Sequence, residues 1–384
     1  MAAIGACWRR IRLTFGAIWG YNGVVKSIAH FLWWLGPWSN SEASPQGAER
    51  RVVEVPTSHG VMEAHWYLPV GTPRGTWILA PGLTFLGIDD PRFVRFARIL
   101  AGAGLAVFAP GIPDFKNMTV TARSIDDFQR AFDVLWELPD RPPGKPAVWS
   151  ISTGSVMALR LASNPDYAYR ISGLITWGGY GAWRETVQFC LTGHDGTAQV
   201  TPKDRGLQPV TYINLLAHVD GAPEDGSDLL AGWREFVRRT WYAEMGDAAL
   251  DSLAIEMQAQ IPAAQRQLFL DGCGVGGPES MTPALAALEG DPASFAHLDA
   301  VRFLEDIRCP VYVIHAADDK VVPANQRFVI ANGLAADVPV QVHLTGLYGH
   351  SSAGKLDLRQ VQTAANELRT LFHVAWAAAN LPAQ

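Results

Sequence analysis

Charge is scarce in this chain of 384 residues: Asp, Glu, Lys and Arg make up 18%, against 48% hydrophobic residues. Lys+Arg 31 against Asp+Glu 37 gives −6, so the total offers no basic face to nucleic acid. Cysteine is scarcer still. The four (Cys7, Cys190, Cys273, Cys309) lie far apart with no C-x-x-C pair, which indicates neither a zinc site nor a disulfide scaffold and leaves the redox compartment open. No phosphate-binding G-x-x-x-x-G-K-[ST], no H-E-x-x-H and no dinucleotide fingerprint occurs, so no cofactor is expected. No repeat with a period of 20–50 residues is visible. Apolar residues are plentiful, with Gly 36 and Pro 25, which excludes a disordered chain, a collagen and a coiled coil.

Tryptophan is abundant and uneven. Five of the 14 (Trp8, Trp19, Trp33, Trp34, Trp38) fall in the first 38 residues. The first 40 residues also hold Arg9, Arg10, Arg12 and Lys26 without one acid, so they carry +4 and the remainder −10. On a helical wheel Trp8, Ile11, Phe15, Ile18 and Trp19 share a face that the arginines avoid. The charge-free run Leu13–Val25 is 13 residues, short of the ~18–20 of a spanning helix. Residues 1–39 therefore read as an in-plane membrane helix, a helix packed on the body, or a cleaved signal, the last opposed by Gly20-Tyr21-Asn22 within the apolar stretch. The compartment is cytoplasmic, peripheral membrane or, with a signal, secreted. The oligomeric state is left open.

Residues 40–50, small and polar with Pro45 and Gly47, read as a linker. From Arg51 strand and helix patterns alternate. Arg51–Val55 and Met62–Leu68 flank Ser58-His59-Gly60 as a hairpin, and Thr76–Leu79 is a short strand. Asp89-Asp90-Pro91 opens a helix that stops at Gly102 or Gly104, before a strand at Leu105–Ala109. Ser124 and Asp127 have capping-box spacing and predict a helix to Leu138. Strands follow at Ala147–Ile151, Gly173–Trp177, Pro310–His315 and Pro339–Leu344, with helices at Thr153–Ser163, from Pro323, and over Leu356–Ala379. This alternation predicts an α/β fold, a mostly parallel central sheet with helices on both faces. Between Tyr180 and Ile307 it lapses into helical segments (Trp183–Leu191, Asp228–Met245, Ala248–Ile261, Pro283–Leu288). The expected organisation is an N-terminal helical segment 1–39, core 51–180, a helical insertion 181–307 over the sheet, and core 308–384.

The segment Ala147-Val-Trp-Ser-Ile-Ser152-Thr-Gly154-Ser-Val-Met runs an apolar strand straight into an apolar helix. A serine presented on so tight a turn needs small residues two places before and after it. Ser150 and Gly154 fill those places around Ser152, whereas centring on Ser150 or Ser155 would put Val148 or Met157 there. A serine hydroxyl is a weak nucleophile and needs an imidazole base held by a carboxylate. Downstream, the strand ending at His315 leads into Asp318-Asp319, and the strand ending at Leu344 leads into Gly349-His350. Serine, acid and histidine each follow a strand's C-terminal end, where open parallel sheets put their active sites.

In that order the chain resembles the α/β-hydrolase fold family, over about residues 51–180 and 300–380, with the family's lid position between them. The resemblance implies Asp319 as the acid, because Ala316-Ala-Asp-Asp319-Lys-Val-Val-Pro matches the family's G-x-x-D segment save for Ala316, with Asp318 the fallback. It implies His350 as the base and leaves His343 a structural histidine. Leu79-Ala-Pro81-Gly82-Leu83-Thr84 is similar to the family's oxyanion segment, which implies the backbone N–H groups of Leu83 and Thr153 as oxyanion donors. The implied activity is a serine hydrolase acting on an ester or thioester of a lipophilic acyl group. The alternatives are an acyltransferase with the same residues and a non-catalytic membrane scaffold. Expected partners are a small-molecule or lipid ester, no nucleic acid, and a membrane surface if residues 1–39 lie on one.

Overall fold

The computed structural model describes residues 23–196, 203–241, 243, 245–346 and 361–383, the side chains of 361–364 and 383 excepted. Its strands are β1 (Glu49–Thr57), β2 (Gly60–Leu68), β3 (Thr76–Ala80), β4 (Ala106–Pro110), β5 (Ala147–Ile151), β6 (Leu174–Trp177), β7 (Val311–Ala316) and β8 (Val340–Thr345). The α-helices of seven residues or more begin with α1 (Gly23–Leu35), α2 (Pro91–Gly102), α3 (Ala122–Glu137) and α4 (Gly154–Ser163). The insertion carries α5 (Trp183–Thr192), α6 (Gln208–Leu215), α7 (Ser227–Thr240), α8 (Asp247–Met257), α9 (Arg266–Gly272) and α10 (Thr282–Gly290). After it come α11 (Gln326–Gly333) and α12 (Val361–Asn380).

All eight strands join one sheet in the order β1-β2-β4-β3-β5-β6-β7-β8. Only β2 runs against the rest, pairing antiparallel with β1 and β4, while every other pair is parallel. Side chains alternate across a strand, so Ile78 and Ala80 enter one buried cluster while Trp77 and Leu79 enter the other. The first face is covered by α3 and α4 (Phe128, Phe132, Val156, Leu159), the second by α1, α2 and α12 (Phe31, Leu100, Leu371, Val374). Strands buried on both faces explain the continuous apolar runs of β3, β4 and β5.

Local signals fix the helix starts. Asp90 caps α2, its carboxylate accepting the Arg92 N–H at 2.9 Å with Pro91 in the first turn. The expected start of α3 is corrected: Thr121, not Ser124, is the cap residue, and its N–H donates to Ser124 Oγ at 3.1 Å. Asp127, expected as the reciprocal cap, is buried and sits 3.4 Å from His59 Nε2 in the β1–β2 turn. In the insertion α7 ends at Thr240 instead of Met245, and α6 and α9 arise where no helix was expected. Tyr212, Trp233, Phe236 and Phe269 belong to the same buried cluster as the sheet face, so the insertion shares the body's core.

The chain before β1 is also fastened. α1 buries Phe31, Leu35 and Ser27. Arg95 on α2 donates to the carbonyls of Ala43 (2.7 Å), Trp34 (3.1 Å) and Asn40 (3.3 Å) and to Ser39 Oγ (3.3 Å). The segment expected as a free linker is thus tied to the body. The wheel of Trp8 to Trp19 with Arg9, Arg10 and Arg12 lies outside the described residues.

Candidate active site

Ser152 follows the last residue of β5 and stands two residues before the start of α4. Its φ is +50°, a left-handed conformation that costs a β-carbon-bearing residue energy. Among the described residues only Met118 shares a positive φ without being glycine. The Ser152 N–H donates to the Trp177 carbonyl at 2.8 Å, which extends the β5–β6 pairing through the turn. Steric closeness explains the small neighbours: a methyl on Gly154 would stand 2.4 Å from the Ala80 carbonyl oxygen and 2.5 Å from that of Pro81. Ser150 is fully buried and its Oγ donates to the Ile175 carbonyl. Ser155 points elsewhere. Its hydroxyl accepts the Tyr180 N–H at 2.9 Å and donates to the Tyr180 carbonyl at 3.2 Å.

The Pro81–Thr84 loop after β3 lies against this turn, since a methyl on Gly82 would come within 3.6 Å of Ser152 Cβ. Leu83 and Thr153 both line the cavity above Ser152. Neither backbone N–H meets an acceptor among the described residues. Two unoccupied donors beside a serine hydroxyl are what a developing oxyanion requires.

Past β7 the two acids separate. Asp318 is exposed and Asp319 is buried. Asp319 Oδ1 accepts the N–H groups of Val321 and Val322, both at 2.8 Å, and Oδ2 lies 3.3 Å from His315 Nε2. That ring nitrogen is also 3.0 Å from the Val322 carbonyl. Sequence reasoning gave His315 no role. The available signal was a polar residue near the end of a strand otherwise apolar, four residues before the acid. His343, on β8, packs its ring on His373 with centroids 5.3 Å apart, and burial lowers its pKa to about 4. His350 lies outside the described residues, as does all of 347–360.

The cavity measures ≈ 870 Å³. Ser152 and Thr153 meet it together with Trp183, Cys190 and Trp241 of the insertion region and Val321 and Val322 of the acid turn. The backbone that holds Asp319 therefore also lines the chamber over Ser152. Cys190 donates its thiol to the Val321 carbonyl at 3.0 Å, and burial with the nearby Asp319 carboxylate pushes its pKa up to about 12. It stays a protonated thiol at neutral pH and is no rival nucleophile. At the mouth of the insertion, Gln326 Oε1 accepts the N–H groups of Gly181 (3.1 Å) and Ala182 (2.9 Å).

The strand order, the single reversed strand and the strained serine turn after β5 are those of the α/β-hydrolase fold, and this chain has that fold. Among solved structures it is similar to an acylaminoacyl peptidase of Pyrococcus horikoshii, at 10% identity over 86% of this chain and 41% of that one, with a TM-score of 0.48. It is similar also to a 2,6-dihydroxy-pseudo-oxynicotine hydrolase (15% identity, 87% and 68% covered, TM-score 0.45). A hypothetical protein of Pseudomonas aeruginosa matches at 15% identity over 87% and 97%, with a TM-score of 0.47. The chain spans 41 to 43% of the length of the acylaminoacyl peptidase structures it matches. At these identities the likeness is one of fold alone. No family model matches the chain, and no curated protein matches it.

Proposed function

We propose that the protein is a serine hydrolase that cleaves a carboxylic ester or thioester of a lipophilic acyl group through an acyl-enzyme on Ser152. The single observation that carries this reading is the left-handed Ser152, held at φ +50° at the floor of an ≈ 870 Å³ cavity. Strain of this kind costs about 1–3 kcal/mol and persists where presenting a side chain is worth it. In the proposed reaction His350 takes the hydroxyl proton as Ser152 Oγ attacks the carbonyl carbon, and Asp319 orients the imidazole. The N–H groups of Leu83 and Thr153 hold the oxyanion. The acid moiety stays on Ser152 while the alcohol or thiol leaves with the proton from His350. Water, activated by the same histidine, then releases the acid. The lipophilic preference is supported by the aromatic wall of Trp177, Trp183 and Trp241.

A fluorophosphonate probe tests the reading directly, because it phosphonylates an activated serine. Labelling of the folded protein that disappears in Ser152→Ala is the expected result. A folded protein that takes up no label would overturn it and leave the non-catalytic alternative. p-Nitrophenyl esters from acetate to palmitate then test the acyl preference, with kcat/KM expected to rise beyond the shortest chains.

A further inference from the structure

The outer face of α12 is the wrong polarity for a helix facing water. Its exposed residues are Ala365, Asn366, Leu368, Arg369, Phe372 and Trp376, all but Asn366 spaced along one side of the helix. Leu368 is 45% exposed, Phe372 47% and Trp376 41%. The opposite side of the same helix (Leu371, Val374, Ala375, Ala378) is fully committed to the core, so the exposed stripe is not an incompletely buried core face. α1 packs beside α12 and repeats the pattern. Phe31 is buried, while Val25, Lys26 and Trp33 (49% exposed) look outward.

We infer that the adjoining outer faces of α1 and α12 form a docking surface for an anionic lipid bilayer. Three observations choose lipid as the occupant. The exposed set is rich in Trp and Phe, the side chains that settle at a membrane–water boundary. Its charged members, Lys26 and Arg369, are both cations. The sequence that leads into α1 has the same character, since residues 1–22 hold Trp8, Trp19, Arg9, Arg10 and Arg12 with no acid. The attachment is peripheral on the described residues, where no helix is long and apolar enough to cross a membrane.

The test uses the full chain and vesicles of 70% phosphatidylcholine and 30% phosphatidylglycerol. Co-sedimentation of the wild type with these vesicles, and a blue shift of its Trp emission, are expected. Phe372→Glu/Trp376→Glu should lower partitioning by roughly tenfold or more, because each change removes an inserted aromatic and adds a repelled charge. Its melting temperature and fluorophosphonate labelling should remain at the wild-type level. Lys26→Gln/Arg369→Gln should lose roughly fivefold per charge on the anionic vesicles, with little change on pure phosphatidylcholine. Three results would overturn the inference: no vesicle binding by the wild type, binding that survives the glutamate pair, or a wild-type dimer that the pair converts to monomer without any vesicle binding. The last would make the face a contact between copies of this chain. Binding is read without catalysis, so failure of the hydrolase reading leaves this result standing.

Discussion

Two turns at the same end of the sheet are built on opposite principles. The Ser152 turn is held by crowding: the left-handed serine persists because Gly154 has no methyl to strike the Ala80 and Pro81 carbonyls, both under 3 Å from where one would be. The Asp319 turn is held by polarity, two N–H donors and a histidine converging on one buried carboxylate. Crowding tolerates loss of a functional group and punishes added volume. A polar turn tolerates volume better than it tolerates loss of an acceptor.

Substitutions that separate function from packing give the sharpest contrast. Ser152→Ala should lower esterase turnover by about 10⁴-fold or more with the fold intact, read from kcat beside a thermal melt. Retained turnover would remove Ser152 from the chemistry. Asp319→Asn keeps the shape and one acceptor oxygen but loses the charge, so turnover should fall by roughly 10³- to 10⁴-fold at a modest stability cost. A stability loss as large as the activity loss would make Asp319 merely structural.

The reverse pattern belongs to Gly154→Ala. Its methyl must displace backbone, and chemical denaturation should show a loss of about 3 kcal/mol, with weakened probe labelling following from the shifted turn. A neutral result would show that the Ser152 turn is not held by crowding. Smaller still is the effect expected at Cys190. With its pKa pushed up to about 12, the thiol is protonated through pH 7–9, so iodoacetamide should alkylate it far more slowly than a free thiol of ordinary pKa. Rapid alkylation at pH 8 would contradict the apolar, carboxylate-flanked setting of that wall. Asp318→Asn should change almost nothing, within about 0.5 kcal/mol and with turnover preserved, since the side chain faces solvent. A large loss there would transfer the acid's role from Asp319.

The same contrast explains what could be read from the sequence. Crowding leaves a local trace: small residues at fixed offsets from Ser152, between a strand period and a helix period, are visible within ten residues. The central parallel strands are legible for a similar reason, since burial on both faces makes them almost continuously apolar. Polar convergence leaves little local trace. The partnership of His315 with Asp319 depends on how the chain turns back after β7, and the capping-box spacing of Asp127 carries no trace of His59, its neighbour from a distant hairpin. The Arg95 bonds to the 34–43 stretch turned an expected linker into a fastened segment, and they join residues more than fifty positions apart in sequence. α6 and α9 went unread because their apolar residues face a core assembled from the whole insertion and do not form a clean stripe.

Strands β6 and β7 lie side by side in register, Leu174 opposite Val311, although the whole insertion separates them along the chain. Closing a loop costs free energy that rises only with the logarithm of its length. Compared with a connection of about ten residues, this one adds roughly 2 kcal/mol. The cost appears instead in time, because a pairing so distant in sequence must wait for a rare encounter and raises the contact order of the fold. The point of insertion is therefore thermodynamically permissive. Length added in the surface connections within residues 181–307, which contribute Trp183, Cys190 and Trp241 to the cavity wall, costs little in loop closure, while the helices that share the body's core and the turns that hold Ser152 and Asp319 need not change.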